Sequence, residues 1–219
     1  MKEYQTLLQP GEASYEIQKS RFLAHARSVE TEDEAQAFIQ QMKKKYFDAR
    51  HNCSAWILGD TGSLQKSNDD GEPGGTAGNP ILEAMKKNGL TNTVIVVTRY
   101  FGGIKLGAGG LIRAYSHTAA LGIEASGIQR MTLFCRTAVT ISYSLLGTLE
   151  NELRRQEIRI ADKAFAEAVT LTLLLPRETA GQTIAELVDL TASRCEIVPQ
   201  GEEYLGIPLQ APTADACTK

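Results

Sequence analysis

Two blocks of this 219-residue chain hold side chains in patterns suited to chemistry. The first is Arg99-Tyr-Phe-Gly-Gly-Ile-Lys-Leu-Gly-Ala-Gly-Gly-Leu-Ile-Arg-Ala-Tyr115, where five glycines, two arginines, one lysine and three aromatic residues fall within seventeen positions. Gly102, Gly103, Gly107, Gly109 and Gly110 have no Cβ, so the backbone there can turn its amides toward an anion. A helix opening out of such a loop adds free N–H groups and the positive end of its dipole. Arg99, Lys105 and Arg113 supply full charges, and Tyr100, Phe101 or Tyr115 offers a face for a stacked base. That is the chemistry of a phosphate or nucleic-acid backbone site. The block lacks G-x-x-x-x-G-K-[ST], so it is not a P-loop. A structural reading competes, in which the glycines make a tight strand-to-helix turn, the aromatics pack beneath it and Arg99 pairs with an acid.

The second block is Asp69-Asp-Gly-Glu72. Its carboxylates suit ion pairs across a cleft from Arg99 and Lys105, a Mg²⁺ beside a bound phosphate, or a solvated loop. Ion pairing is the expected arrangement, with Asp70, Glu72, Thr76 and His51 forming the supporting wall and Thr76 capping or supporting the next helix. Nucleophilic catalysis has less behind it. Neither Ser67 nor Ser116 sits in a G-x-S-x-G elbow. His51 and Cys53 are two apart on one strand and point the same way without facing each other, so Cys53 reads as a buried structural thiol. Histidines 25, 51 and 117 do not fall at metal-ligand spacing with the four scattered cysteines, so no metal and no cofactor is expected.

The elements that must position these residues are legible in part. Tyr15–Val29 reads as one long strand, bulged or not. Thr31 caps a helix with Glu34 at the capping-box position and Ala35, Phe38, Ile39 and Met42 at helical spacing, ending in three lysines. Asn52–Leu58 is a strand, Gly59–Gly78 a long acidic glycine-rich loop, and Asn79-Pro80 opens a second helix ending near Gly89. Thr93–Thr98 is a buried strand that feeds the glycine loop, followed by a helix over Leu111–Ala125 and a strand over Gln129–Arg136. Beyond these, strands at Ala138–Tyr143, Ile158–Ala164, Ala168–Leu175 and from Cys195 alternate with helices at Leu146–Arg155 and Thr179–Thr191. That β-α-β-β-α-β order is the split βαβ, or ferredoxin-like, arrangement. The spacing divides the chain into 1–136, 137–205 and a loose tail over 206–219.

Composition is that of an ordinary globular protein, with 42% hydrophobic and 22% charged residues. No apolar run approaches a membrane span and no apolar leader opens the chain, so a cytoplasmic protein without membrane contact is expected. Net charge is −3, unevenly distributed: residues 1–136 hold 16 Lys+Arg against 14 Asp+Glu, and residues 137–219 hold 7 against 12. An anion site is therefore local and belongs to the first half.

Ser67-Asn-Asp-Asp-Gly-Glu-Pro-Gly-Gly-Thr-Ala-Gly-Asn-Pro-Ile-Leu82 and the block running from Val97 to Tyr115, preceded by Asp48-Ala-Arg-His-Asn-Cys-Ser-Ala-Trp56, resemble the signature of the Impact family. The resemblance spans roughly residues 15–130, and the remainder is similar to the extra domain of the bacterial two-domain, YigZ-type members. It implies an α+β protein of two domains. The first would have the ribosomal-protein-S-five domain-two-like fold, and the second would be ferredoxin-like. Eukaryotic relatives regulate translation through a protein partner, a role that does not transfer directly. Together, residues and resemblance point to a protein that binds RNA, the ribosome or a translation-related protein, through Arg99, Lys105 and Arg113 with the loop glycines. The rivals are an enzyme acting on a phosphorylated small molecule or nucleotide, and a protein-interaction module without nucleic acid.

Overall fold

The computed structural model describes residues 3–212. They form two units, one running to Met131 and resuming from Gly206, the other comprising Thr132–Leu205. The elements in chain order are β1 (Tyr4–Leu7), β2 (Gly11–Ile17), β3 (Ser20–Ser28), α1 (Glu32–Lys45), β4 (His51–Leu58), β5 (Leu64–Asn68), α2 (Gly78–Lys87), β6 (Thr93–Tyr100), α3 (Gly107–Ser126), β7 (Ile128–Ile141), α4 (Tyr143–Arg155), β8 (Arg159–Phe165), β9 (Val169–Pro176), α5 (Ala180–Leu190) and β10 (Cys195–Gln210). The architecture is α+β in two domains.

The first unit is built on an antiparallel sheet in the order β2-β3-β6-β4-β5. Strand alternation divides its side chains between two cores. Phe22, Ala24, Cys53, Ala55, Ile95 and Val97 meet Ile81, Met85, Leu111, Tyr115 and Ile123 of α2 and α3. Trp56, Leu58, Val94 and Val96 point the other way, onto Ala35, Ile39 and Met42 of α1. Each large side chain so buried is worth roughly 1.5–3 kcal/mol, which fixes the register of the central strands. At the head of α1, the N-cap Thr31 accepts through Oγ1 from Glu34 N at 3.2 Å, and Glu34 Oε2 accepts from the N–H of Glu30, the residue before the cap, at 2.8 Å.

Several elements differ from the sequence expectation. The single strand expected over Tyr15–Val29 is a hairpin, turned at Gln18 and Lys19, both at positive φ (46° and 61°). Such a turn favours Asn-Gly, and its absence here hid the reversal. The loop expected over Gly59–Gly78 contains β5, an edge strand too exposed to show alternation. The third helix begins at Gly107 rather than Leu111, so Gly109 and Gly110 are helical residues. The buried stripe of Leu111, Ala114, Tyr115 and Thr118 extends the helix over residues of poor intrinsic propensity.

In the second unit β7, α4, β8, β9, α5 and β10 give the expected β-α-β-β-α-β order, with strands adjacent as β10-β7-β9-β8. Val139, Leu149, Leu153, Leu171, Leu173, Leu175 and Leu187 fill its core. The strands expected at 129–136 and 138–143 are one, β7. Residues 206–210 continue β10 instead of forming a loose tail, because β10 pairs with β7 along the sheet. The rest of that expected tail from residue 213, Cys217 included, lies outside the described residues. Among the described residues, no helix is long and apolar enough to cross a membrane.

Candidate functional site

At one end of the first unit's sheet, antiparallel pairing sets Arg99 opposite His51 on one side and Phe22 on the other. Alternation sends all three toward α2 and α3. Here Arg50, His51, Glu72, Pro73, Arg99, Phe101, Lys105, Leu106, Gly107, Ala108 and Leu111 line a cleft of about 420 Å³.

The floor is a buried polar chain. Arg99 Nη1 donates to Glu72 Oε1 at 2.7 Å, with only 7% and 3% of the two side chains exposed. Tyr115 Oη, itself buried, donates to the same carboxylate oxygen at 2.8 Å. The Arg99 guanidinium lies between the Phe22 and Phe101 rings, 5.5 Å from each centroid. Its Nε is buried and has no hydrogen-bond partner. Beneath, Cys53 Sγ lies 2.9 Å from the Asp69 carbonyl oxygen and 3.3 Å from Tyr115 Oη. Burial, reinforced by the Glu72, Asp70 and Asp69 carboxylates, pushes the Cys53 thiol up to about 12, so it is a protonated donor and no nucleophile. Burial likewise raises the Tyr115 phenol, assisted by Cys53 and Glu72.

The acidic loop forms one wall. Asp70 adopts a positive φ of 45°, with its amide held by Asn68 Oδ1 at 2.7 Å. Its carboxylate accepts from Lys43 Nζ at 2.5 Å and Asn52 N at 2.7 Å, and not from Lys105 as expected. Its carbonyl accepts from His51 Nδ1 at 2.8 Å, which requires the ring hydrogen on Nδ1. Thr76 donates to the Pro73 carbonyl at 2.6 Å and supports the loop, but it does not cap α2. The cap is Asp69, whose carboxylate accepts from the amides of Gly75, Ala77 and Gly78 at 2.8, 3.0 and 2.8 Å. Burial pushes the Asp69 carboxyl up, but the three amides together outweigh it and hold the group below the ordinary carboxylate range.

The opposite wall is the loop after β6 and the first turn of α3. Gly102 is fixed by packing: a Cβ would fall 1.9 Å from the Lys19 backbone carbon in the β2–β3 turn. Gly103 and Gly107 have φ of 87° and 70°, with open space beside them. The first turn of α3 has no acidic residue, and Leu106 at its cap position makes no side-chain cap bond. Lys105 and Arg50 are exposed at the rim, and neither has a carboxylate partner among the described residues. Phe101 is 47% exposed over the floor.

Of the residues expected at the site, Arg99, Phe101, Lys105, Gly107, Glu72 and His51 line one cleft. Tyr100, one step along β6, emerges on the other sheet face, where its hydroxyl donates to Asp48 at 2.8 Å and Arg21 lies over its ring. Arg113 is exposed on α3 away from the cleft lining, and Tyr115 is fully buried and offers no stacking face. Arg50 was missed, although a cation directly before the His51 strand was visible. Asp69 was missed as a cap because the helix it caps begins nine residues later, too far for a local pattern. Among the described residues, no group of three His, Cys, Asp or Glu could hold a metal.

The Impact N-terminal domain matches residues 18–123, and a domain of unknown function (DUF1949) matches residues 139–194. The chain is 42% identical over 205 residues to the IMPACT family member YvyE of Bacillus subtilis, covering 94% of each chain. It is 34% identical to YigZ of Escherichia coli, covering 84% of this chain and 91% of that one. A Saccharomyces cerevisiae protein IMPACT homolog is 37% identical over 93 residues, 40% of this chain and 35% of its own length. A crystal structure of a hypothetical protein superposes with a TM-score of 0.59 at 30% identity, covering 90% of this chain and 97% of that one. The chain belongs to the Impact family.

Proposed function

We propose that this Impact family member binds RNA, free or within a ribosomal particle, through the cleft of its first unit, and acts in translation. One observation carries the reading: an uncapped helix start, two rim cations without carboxylate partners and an exposed aromatic ring converge on one cleft. Free amides at a helix N-terminus and unpaired cations attract phosphate oxygens, and an aromatic face accepts a base. The carboxylates favour binding over catalysis. Asp70 is engaged by Lys43 and the Asn52 amide, and Glu72 by Arg99 and Tyr115, which leaves neither placed as a ready general base. The resemblance to translation regulators among eukaryotic relatives supports the same direction, though it extends only over the first unit.

The test is a titration with single-stranded RNA and with ribosomal particles across a salt series, for the wild type and the Lys105→Ala/Arg50→Ala double variant. Each phosphate contact contributes about 0.7 to the slope of log affinity against log salt, so the double variant should lose about 1.4 from it. An unchanged slope in the folded variant would move the site elsewhere. No RNA binding at low salt, with a melting temperature raised by one nucleotide or sugar phosphate, would favour an enzyme.

A further inference from the structure

We infer that the floor of the cleft receives one unstacked nucleobase, while the phosphates of the same strand lie at the rim on Lys105, Arg50 and the first amides of α3. The inference rests on the RNA reading and divides the cleft into two chemically different levels.

The floor is unsuited to a phosphate. Arg99 is its cation, and Glu72 answers that charge at 2.7 Å, with both side chains more than nine-tenths buried. A phosphate seated there would meet a carboxylate as closely as a guanidinium, with little water between to screen the repulsion. What the floor retains is hydrogen-bonding capacity without net charge. Arg99 Nε–H is buried with no partner, a cost that a ligand acceptor would remove. Glu72 takes both of its donors on Oε1, and Oε2 has no partner among the described residues. An unused donor and an unused acceptor on one ion pair match the edge of a nucleobase, which sets donors beside acceptors. Pro73, Leu106 and Leu111 give the walls an apolar surface, and half-exposed Phe101 supplies a ring to stack on.

The rim has the opposite character. Lys105 and Arg50 have no carboxylate partner among the described residues, and the first amides of α3 have no side-chain cap. Phosphates belong there, one level above the base. A base can reach the floor only if it leaves its stack, so the preferred ligand is a single strand.

The experiment uses the full chain with a single strand and a tetrahydrofuran-linked abasic strand of equal length and charge, and with a duplex of the same sequence, whose two backbones carry about twice the charge. The single strand should bind about tenfold tighter than the abasic strand, from stacking on Phe101. The duplex has no unstacked base to offer, so its affinity should be indifferent to Phe101→Ala. Phe101→Ala, a change at an exposed ring, should close the gap while leaving the salt slope unchanged. Equal, salt-dependent binding of single and abasic strands by the wild type would overturn the base site and leave the backbone reading standing. No binding of any oligomer at low salt would overturn both.

Discussion

The two helices packed on one face of the first unit's sheet begin in opposite ways. At α2, the Asp69 carboxylate reaches across the loop and takes the amides of Gly75, Ala77 and Gly78. At α3, Leu106 offers no side-chain oxygen, the first turn has no acid, and the amides open toward a cleft whose rim holds Lys105 and Arg50. Every helix start leaves donors that need an acceptor. One helix finds its acceptor within the chain and gains stability; the other leaves the place to a ligand. The acids of the 69–72 loop sort accordingly, with Asp69 on a helix, Asp70 on Lys43 and Glu72 on Arg99, none of them capping the open helix end.

The sharpest way to break this comparison is to remove the acid under the open end. Glu72→Ala leaves Arg99 buried and charged without a partner, and removes the acceptor of Tyr115. Breaking a buried pair in this way costs about 3–5 kcal/mol, so urea unfolding should show a large fall in stability. A loss no larger than that of an exposed pair would mean that the floor is wet and that the contrast between floor and rim is false.

The fold was more legible than the site. Continuous apolar runs such as Thr93–Thr98, buried on both faces, and helical stripes such as Ala35–Met42, buried on one, announce their elements through their apolar pattern. The hairpin at Gln18-Lys19 and the edge strand Leu64–Asn68 escaped because neither shows the pattern that usually marks it: there is no glycine at the turn and no buried face on the strand. The Arg99–Glu72 pair was expected from the opposite charges of the two blocks. Lys43, 27 residues before Asp70, was not, since only the packing of α1 brings it there. Tyr100 shows the limit most simply: whether a residue at a strand's end belongs to a site depends on which face its parity selects, and register is a property of pairing partners.

A smaller effect separates the closed helix end from the open one. Asp69→Asn can keep an oxygen for the Ala77 and Gly78 amides but then turns a non-accepting NH2 toward the Gly75 amide, at a cost of about 1–2 kcal/mol at neutral pH. The folded Asp69 carboxyl titrates below its unfolded value, so its stabilisation is complete above the range of a free aspartate and is lost as pH falls through the folded value. Thermal melts of wild type and variant should therefore differ at neutral pH and converge in acid. A gap that persists at the lowest pH would mean that the carboxylate charge contributes nothing to the cap. RNA affinity should be unchanged, because this acid serves α2 alone.

The smallest effect is expected where charge lies close to the open end without facing it. Arg113 is on α3, fewer than two turns past Gly107, yet it is exposed and outside the cleft lining. A general attraction between RNA and a locally basic surface would be reduced by losing Arg113 about as much as by losing Lys105, since screening allows charges about 8 Å away to act at physiological salt. Direct contact at the rim predicts a difference. Arg113→Ala should leave the salt slope unaltered and shift affinity by less than about twofold, whereas Lys105→Ala should lower the slope by about 0.7. Equal slopes for the two variants would replace a defined phosphate contact with a diffuse field over the N-terminal half of α3. The open helix end would then attract RNA without positioning it, and the contrast with α2 would be one of charge alone.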